Sequence, residues 1–216
     1  MVKSPNTRHT PGARACRQRG VALVALLALM TMLMIAAMAA APSLRHQAKR
    51  QRELETIARG EEVADAIRAF VHYTNRLPTS MDELKEGAPF GTKKIQVLRA
   101  SAACDPLTSR DGECGEWRLI KATDPALVTF VVSLGKFANG RVPATNDPRL
   151  QALANQLPRP TAILDTGTSR DAPCDDFGSS SSGPFIGVAS RSCADSVIAY
   201  YGIEQHAGWV FTPFYR

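Results

Sequence analysis

The sequence predicts an α+β fold: a long N-terminal helix, its first half transmembrane, packed on a small antiparallel β-sheet domain. Three observations carry this. Residues 21–41 form an uncharged run whose only polar side chain is Thr31. Residues 43–75 continue with apolar positions three and four apart. The remainder breaks into short apolar runs separated by Gly, Pro, Asn and Ser, the pattern of short strands and turns. The 216 residues suit one modest globular domain plus an appendage.

Four segments follow in order: a basic leader at 1–20, a transmembrane half-helix at 21–42, an amphipathic half-helix at 43–78, and a β-rich extracytoplasmic domain at 79–216. The leader carries Lys3, Arg8, Arg14, Arg17 and Arg19 and no acid. The formal net charge is +6, but setting those five aside leaves 21 basic residues against 20 acidic ones. The positive charge belongs to the leader, which argues against a nucleic-acid surface.

Twenty-one helical residues reach about 32 Å, enough to cross the hydrocarbon core. Lipid requires backbone groups to be satisfied within the segment, so a single span must be helical. The acid-free leader is expected to stay cytoplasmic. Beyond the span, Arg45, Lys49, Arg50 and Arg52 work against that orientation, and the cysteines decide it. Cys16 lies in the leader, leaving Cys104, Cys114, Cys174 and Cys193, an even set suited to disulfides in an oxidising compartment. Intervals of nine and eighteen residues within the pairs lack the short knuckle of a structural zinc site. Pairing by the shortest loops gives Cys104–Cys114 and Cys174–Cys193, one of three connectivities. A cleaved secretory signal has a shorter apolar core, and Cys16 precedes the span, where a lipoprotein would need it to follow. A plain signal anchor stays open.

In the amphipathic half, Leu54, Ile57, Ala64, Ile67, Phe70 and Val71 make the apolar stripe. Glu55 with Arg59 and Asp65 with Arg68 pair on the polar side. Gly60 is read as a weak point costing about 1 kcal/mol against Ala. Leu77-Pro78 ends the helix. Ser80 and Glu83 form a capping box for a short helix at 81–86. Strands are expected at 95–98, 117–120, 127–133, 162–164, 185–189, 197–201 and 209–212, a short helix at 148–157, and an exposed loop at 165–183. Trp117, Tyr200, Tyr201, Trp209, Phe211, Phe214 and Tyr215 are expected on strands and in the core.

No enzyme motif is present: no Gly-x-Ser-x-Gly elbow, HExxH or P-loop. His46 and His72 fall on the helix's solvated side and His206 in a turn, so the chain is expected not to be an enzyme. Asp171, Asp175 and Asp176 cluster in a loop with the hard oxygen ligands that calcium takes, but not at EF-hand spacing. A solvated acidic loop is the plainer reading, and no metal or other cofactor is expected, calcium at this loop being the one exception the chemistry admits.

The string Arg17-Gln18-Arg19-Gly20 before Val21-Ala22-Leu23-Val24 resembles the processing site of type IV prepilins and type II secretion pseudopilins. The resemblance implies cleavage between Gly20 and Val21 by a prepilin peptidase and methylation of the new N-terminus. It also places Pro42 at the twenty-second mature position, where the family often has a helix-kinking proline. Gly60 to Phe70, Arg76-Leu77-Pro78-Thr79-Ser80-Met81-Asp82-Glu83-Leu84, Asp105-Pro106-Leu107-Thr108, Gly115 to Ile120, Gly187 to Ser190 and Gly208 to Phe211 resemble later parts of the pseudopilin pattern. Two positions depart from it: Val21 replaces the commoner phenylalanine, and Ala25 stands where the family usually has a glutamate. The resemblance implies a minor pseudopilin in the bacterial inner membrane, single-pass, with a periplasmic domain. Its implied partners are the peptidase, other pilin-like subunits and the inner-membrane assembly platform. The alternative is a single-span protein whose periplasmic domain binds a ligand or another protein without fibre assembly.

Overall fold

The computed structural model describes residues 18–110, 112–156 and 183–215; for residues 18, 19 and 39–44 it describes the backbone alone. Two units compose it, Met1–Gln47 and Ala48–Arg216. The described elements run α1 (Gln18–Thr74), α2 (Met81–Glu86), β1 (Ala88–Phe90), β2 (Lys93–Ile95), β3 (Arg118–Ile120), α3 (Pro125–Phe137), α4 (Pro148–Ala154), β4 (Gly187–Ala189), β5 (Asp195–Tyr200), β6 (Ile203–Gln205), a 3-10 turn at His206–Gly208, and β7 (Val210–Phe211). This is an α+β chain with an apolar N-terminal helical segment and small antiparallel sheets, as the patterning predicts.

Within the second unit, the stretch of α1 from Glu53 to Val71 supplies one wall of the core. Its buried positions are Glu53, Thr56, Gly60, Val63, Ala64, Ala66, Ile67, Phe70 and Val71. The spacing 53, 56, 60, 63, 67, 70 alternates threes and fours, so they share one face. The expected stripe is therefore corrected at its start: Leu54 is 51% exposed and Ile57 only partly buried, while polar Glu53 and Thr56 face inward. The predicted surface pairs form, Arg59 with Glu55 at 2.5 Å and Arg68 with Asp65 at 3.4 Å. The helix stops at Thr74 because Asn75 adopts φ 53°, a left-handed cap whose N–H returns to the Val71 carbonyl at 2.8 Å. Leu77-Pro78 lies beyond this stop.

The helix at 81–86 forms as predicted. The Ser80 hydroxyl accepts from the Glu83 N–H at 3.2 Å. The Glu83 carboxylate reaches back one residue further than a capping box does, to the Thr79 N–H at 2.8 Å, and also pairs with Arg76. Burial pushes the Glu83 carboxyl upward, and Arg76 with the two Thr79 donors outweighs it, leaving it below the ordinary value.

Three antiparallel sheets follow. β1 and β2 make a hairpin whose turn holds Gly91 at φ 60°. This places a strand at Lys93–Ile95, earlier than the expected 95–98, and β1 has no counterpart in the sequence expectations. β4 is central in a three-stranded sheet with β3 and β7, in register Leu119↔Val188 and Val188↔Phe211. β5 pairs β6 with a register shift between Asp195 and Tyr200.

The expected strand at 127–133 is instead inside helix α3. Its β-branched residues Val128, Thr129, Val131 and Val132 suggest a strand, but two stronger local signals win. Asp124 caps the helix by accepting from the Ala126 N–H at 2.9 Å, and Pro125 occupies the first turn. Leu127, Phe130 and Leu134 then fall on one buried face at helical spacing. The expected helix at 148–157 appears as α4, capped by Asp147, whose side chain accepts from the Arg149 N–H at 2.9 Å. The expected strand at 162–164 and the loop at 165–182 lie outside the described residues.

The aromatic residues are core residues, as expected: Trp209, Phe211, Trp117 and Phe214 are buried. The strand expectation holds only for Tyr200 and Phe211: Trp117 and Trp209 stand just before β3 and β7, Phe214 and Tyr215 follow β7, and Tyr201 turns the chain between β5 and β6 at φ 50°. Cys104 and Cys114 are joined, with Cα atoms 5.1 Å apart. In the chain-entropy account such a short loop contributes about 3 kcal/mol. The predicted partner pair involves Cys174, which lies outside the described residues; Cys193 is partly buried before β5.

Candidate functional site

Two places concentrate the residues on which function can turn: the start of α1 and a buried polar cluster where α1 meets the β5–β6 hairpin.

Gly20 to Met38 is a 19-residue helical stretch long and apolar enough to cross a membrane, and none of it is buried. Leu23, Leu27, Met30, Met34 and Met38 are all more than half exposed, as are Leu26, Leu33 and Ile35 on other sides of the helix. Apolar surface covers every side, so no single partner stripe accounts for it. The Thr31 hydroxyl donates to the Ala28 carbonyl at 2.9 Å, so the run's one polar side chain is satisfied within the helix, as lipid requires. Gly20 is exposed in the first helical turns, and a Cβ placed there would meet nothing within 4 Å. Val21 beside it is 68% exposed and Ala25 is exposed. The helix is assigned without a break through position 42, but the Pro42 side chain lies outside the described residues.

The second place was not legible as a site. The Glu53 side chain is fully buried. Its Oε1 accepts from the Val197 N–H at 2.9 Å and Oε2 from the Ile198 N–H at 2.9 Å, and the His206 Nε2 lies 3.1 Å from Oε1. With Nε2 donating to the carboxylate, His206 Nδ1 accepts from the Ser192 hydroxyl at 3.3 Å. The cluster continues close by: Ser190 receives the Ser192 N–H at 3.1 Å and donates to buried Asp105 at 2.7 Å. Asp105 also accepts from the Leu107 N–H at 3.0 Å and the Thr108 hydroxyl at 3.1 Å. Val197 and Ile198 sit in the irregular part of β5, where the ladder to β6 slips, and Glu53 takes the N–H groups that the slip releases.

Ser192, His206 and Glu53 stand in the order of a nucleophile, a base and its orienting acid. Their setting is that of a structural clamp. His206 is 1% exposed with its ring edge-on to Trp209 at 4.9 Å, and the Ser192 hydroxyl already closes a local turn with the Ala194 N–H at 3.5 Å. A groove among the described residues lies elsewhere, at His72, Tyr73, Phe90 and Arg149. The cluster ties α1 to the β5–β6 hairpin through a carboxylate with several donors, an arrangement that is costly to leave half made.

Of the other expected residues, His46 is exposed and His72 is 47% exposed at its side chain, pairing with Asp147 at 2.7 Å. Burial pushes the Asp147 carboxyl upward, but the Arg149 N–H, the His72 ring and the Leu150 N–H together hold it below the ordinary range. Asp171, Asp175 and Asp176 lie outside the described residues. Among the described residues no group of three or more His, Cys, Asp and Glu is placed to hold a metal ion.

Compared with protein-family models, curated proteins and solved structures, the chain matches none.

Proposed function

We propose that the chain is a minor pilin-like subunit of the pseudopilin type, anchored in the inner membrane by residues 21–42 and carrying its disulfide-bonded domain on the periplasmic side. In this reading a prepilin peptidase removes residues 1–20, and the mature chain joins other pilin-like subunits at an inner-membrane assembly platform. One observation supports it above the rest: the all-round apolar stretch of α1 opens on a glycine that no described residue crowds. Glycine in a helix costs about 1 kcal/mol relative to alanine. Gly20 has open space where a Cβ would go, so no close approach repays that cost. A requirement in the unfinished precursor, recognition at Gly20–Val21, accounts for it.

Ala25 makes the reading more specific. When membrane helices gather in a fibre, each mature N-terminal amine enters an apolar setting where an unpaired charge is costly. A carboxylate near the fifth mature position compensates it, and Ala25 cannot. The subunit therefore joins a mixed assembly and does not polymerise alone. Expressed as the sole pilin-like subunit beside a complete machine, it yields no long fibres; fibres built only of this chain would overturn the minor role.

Mass spectrometry of the membrane-bound protein tests the processing. The expected mature N-terminus is Val21 with a methylated amine, and Gly20→Leu leaves an uncut precursor. A start at Met1, or after Ala41, sinks the pilin-like reading. In that case a single-span protein with a periplasmic binding domain takes its place.

A further inference from the structure

We infer that the groove between the end of α1, the β1–β2 turn and the start of α4 is a docking site for an extended acidic peptide segment bearing an apolar side chain beside a carboxylate. The inference concerns the folded domain and does not depend on how the N-terminus is processed. The groove is shallow and open to solvent, with a volume of about 640 Å³, and is lined by Ala69, His72, Tyr73, Pro89, Phe90 and Arg149.

Two features select the occupant. The first is an aromatic corner open to solvent. Tyr73 is 42% exposed and Phe90 is 60% exposed, and their rings meet edge to face at 5.7 Å and 79°. Phe90 precedes the hairpin turn and Tyr73 closes α1, so two regular elements fix the corner before anything binds. Pre-ordered aromatic surface is the usual anchor of a peptide contact. Rings at 79° make a corner for one apolar side chain, whereas a planar base would need a parallel slot.

The second feature is charge. The groove's walls include a guanidinium and an imidazole and no carboxylate. Arg149 is exposed and steadied by a hydrogen bond from one terminal nitrogen to the His72 carbonyl, which leaves its other N–H groups to meet an acceptor. The acid bonded to the His72 ring, Asp147, is committed to that ring and to the Arg149 N–H. Lys93 faces Phe90 across the hairpin and brings a second cation to the same turn. A fork-shaped donor held beside an aromatic corner matches a carboxylate next to an apolar side chain.

The test uses the full chain in detergent micelles and two displayed hexapeptide libraries. One contains Asp and Glu with Phe, Leu and Gly; in the other Asn and Gln replace the acids. Acidic members with an adjacent Phe or Leu are expected to enrich at least tenfold over their neutral counterparts. Phe90→Ser and Arg149→Met should each abolish the enrichment, Arg149→Lys should keep part of it, and Phe137→Ser, at another exposed aromatic, should leave it intact. Phe90 and Arg149 are exposed, so these variants retain the core; the near-ultraviolet signal of Trp117 and Trp209 verifies this. Equal enrichment of the neutral library, or enrichment unchanged in both Phe90→Ser and Arg149→Met, overturns the assignment. A photoreactive side chain at position 90 that captures a second copy of this chain, or its own residues 157–182, overturns it too.

Discussion

Residues 20–38 and residues 53–71 of α1 are equal in length and both helical, yet each meets a different solvent problem. The first stretch presents apolar side chains in every direction and buries none of them. The second buries one face made of Val63, Ile67, Phe70 and Val71, with Glu53, Thr56 and Gly60 continuing that face toward the N-terminus. Each stretch contains one glycine, and the two glycines differ in kind. A Cβ at Gly20 meets nothing within 4 Å, whereas at Gly60 it would stand 2.3 Å from Cδ2 of the Phe211 ring. Glycine in a helix therefore carries two separate meanings here. At position 60 it lets the helix backbone approach β7; at position 20 no described residue comes close.

The largest effect that separates the two stretches is expected at Glu53. Glu53→Ala removes the acceptor of the Val197 and Ile198 N–H groups and leaves the buried His206 ring without its carboxylate, and we expect a loss of about 3 kcal/mol. Glu53→Gln keeps one acceptor oxygen and should lose less than half as much. Denaturant titration of the full chain in micelles measures this, with Trp117 and Trp209 as reporters of the domain alone. A loss below about 1 kcal/mol for Glu53→Ala would mean that Glu53 does not clamp the hairpin.

The converse substitution strikes the other stretch. Leu29→Lys puts an ammonium at the middle of the apolar run and should disfavour insertion by about 3 kcal/mol. The domain's denaturation midpoint should stay unchanged. Fractionation of membranes from expressing cells, with the titration above on the purified variant, reads both quantities. If the lysine variant partitions like the parent, residues 20–38 are not a membrane span.

Gly60→Ala sharpens the comparison at a smaller scale. Helix propensity alone predicts a gain of about 1 kcal/mol. Phe211 is 1% exposed and its ring has nowhere to move, so overpacking should dominate with a net loss of about 2 kcal/mol. Gly20→Ala, judged by the same titration, should leave the domain untouched. A loss at Gly60 beside no change at Gly20, from one substitution type in one helix, would show that close approach, not propensity, decides.

These differences explain how much was legible in the sequence. The apolar run, the α+β class, the Ser80–Glu83 cap, α4, strands near 117–120, 185–189, 197–201 and 209–212, and the Cys104–Cys114 bridge all rest on local signals, and all appear. Gly60 was misread because its partner, Phe211, lies far along the chain. Glu53 and His206 were missed for the same reason: each alone reads as a polar helix residue and a turn residue, and only folding brings them to 3.1 Å. The slip in β5 that makes room for the carboxylate has no sequence signature either. The error at α3 was of another kind, since its signals were local. Asp124-Pro125 is a local helix start, and it outweighs the strand preference of the β-branched run after it.

The smallest expected effect lies just past the end of α1, where Arg76 and α2 meet, and it is set by pH. The Glu83 carboxyl is lowered from its ordinary 4.5; burial opposes this, and Arg76 and Thr79 outweigh it. A folded-state value below the unfolded one means the ionised form is favoured by folding. The stabilisation is then fully present above the unfolded value and is lost as pH falls through the folded one. Glu83→Gln keeps the side chain's length and an acceptor for the Thr79 N–H but removes the charge. Arg76 is more than half exposed, so water screens the pair, and the loss at neutral pH should be only about 0.5 kcal/mol. The informative quantity is the shape of the difference between parent and variant. It should be constant from neutral pH to about 5 and shrink toward zero as the parent's carboxyl is protonated below its ordinary value. Denaturant midpoints measured at successive pH values trace this. A difference that persists undiminished at the acid end would assign the Glu83 contribution to shape and hydrogen bonding, with the Arg76 pairing contributing nothing measurable.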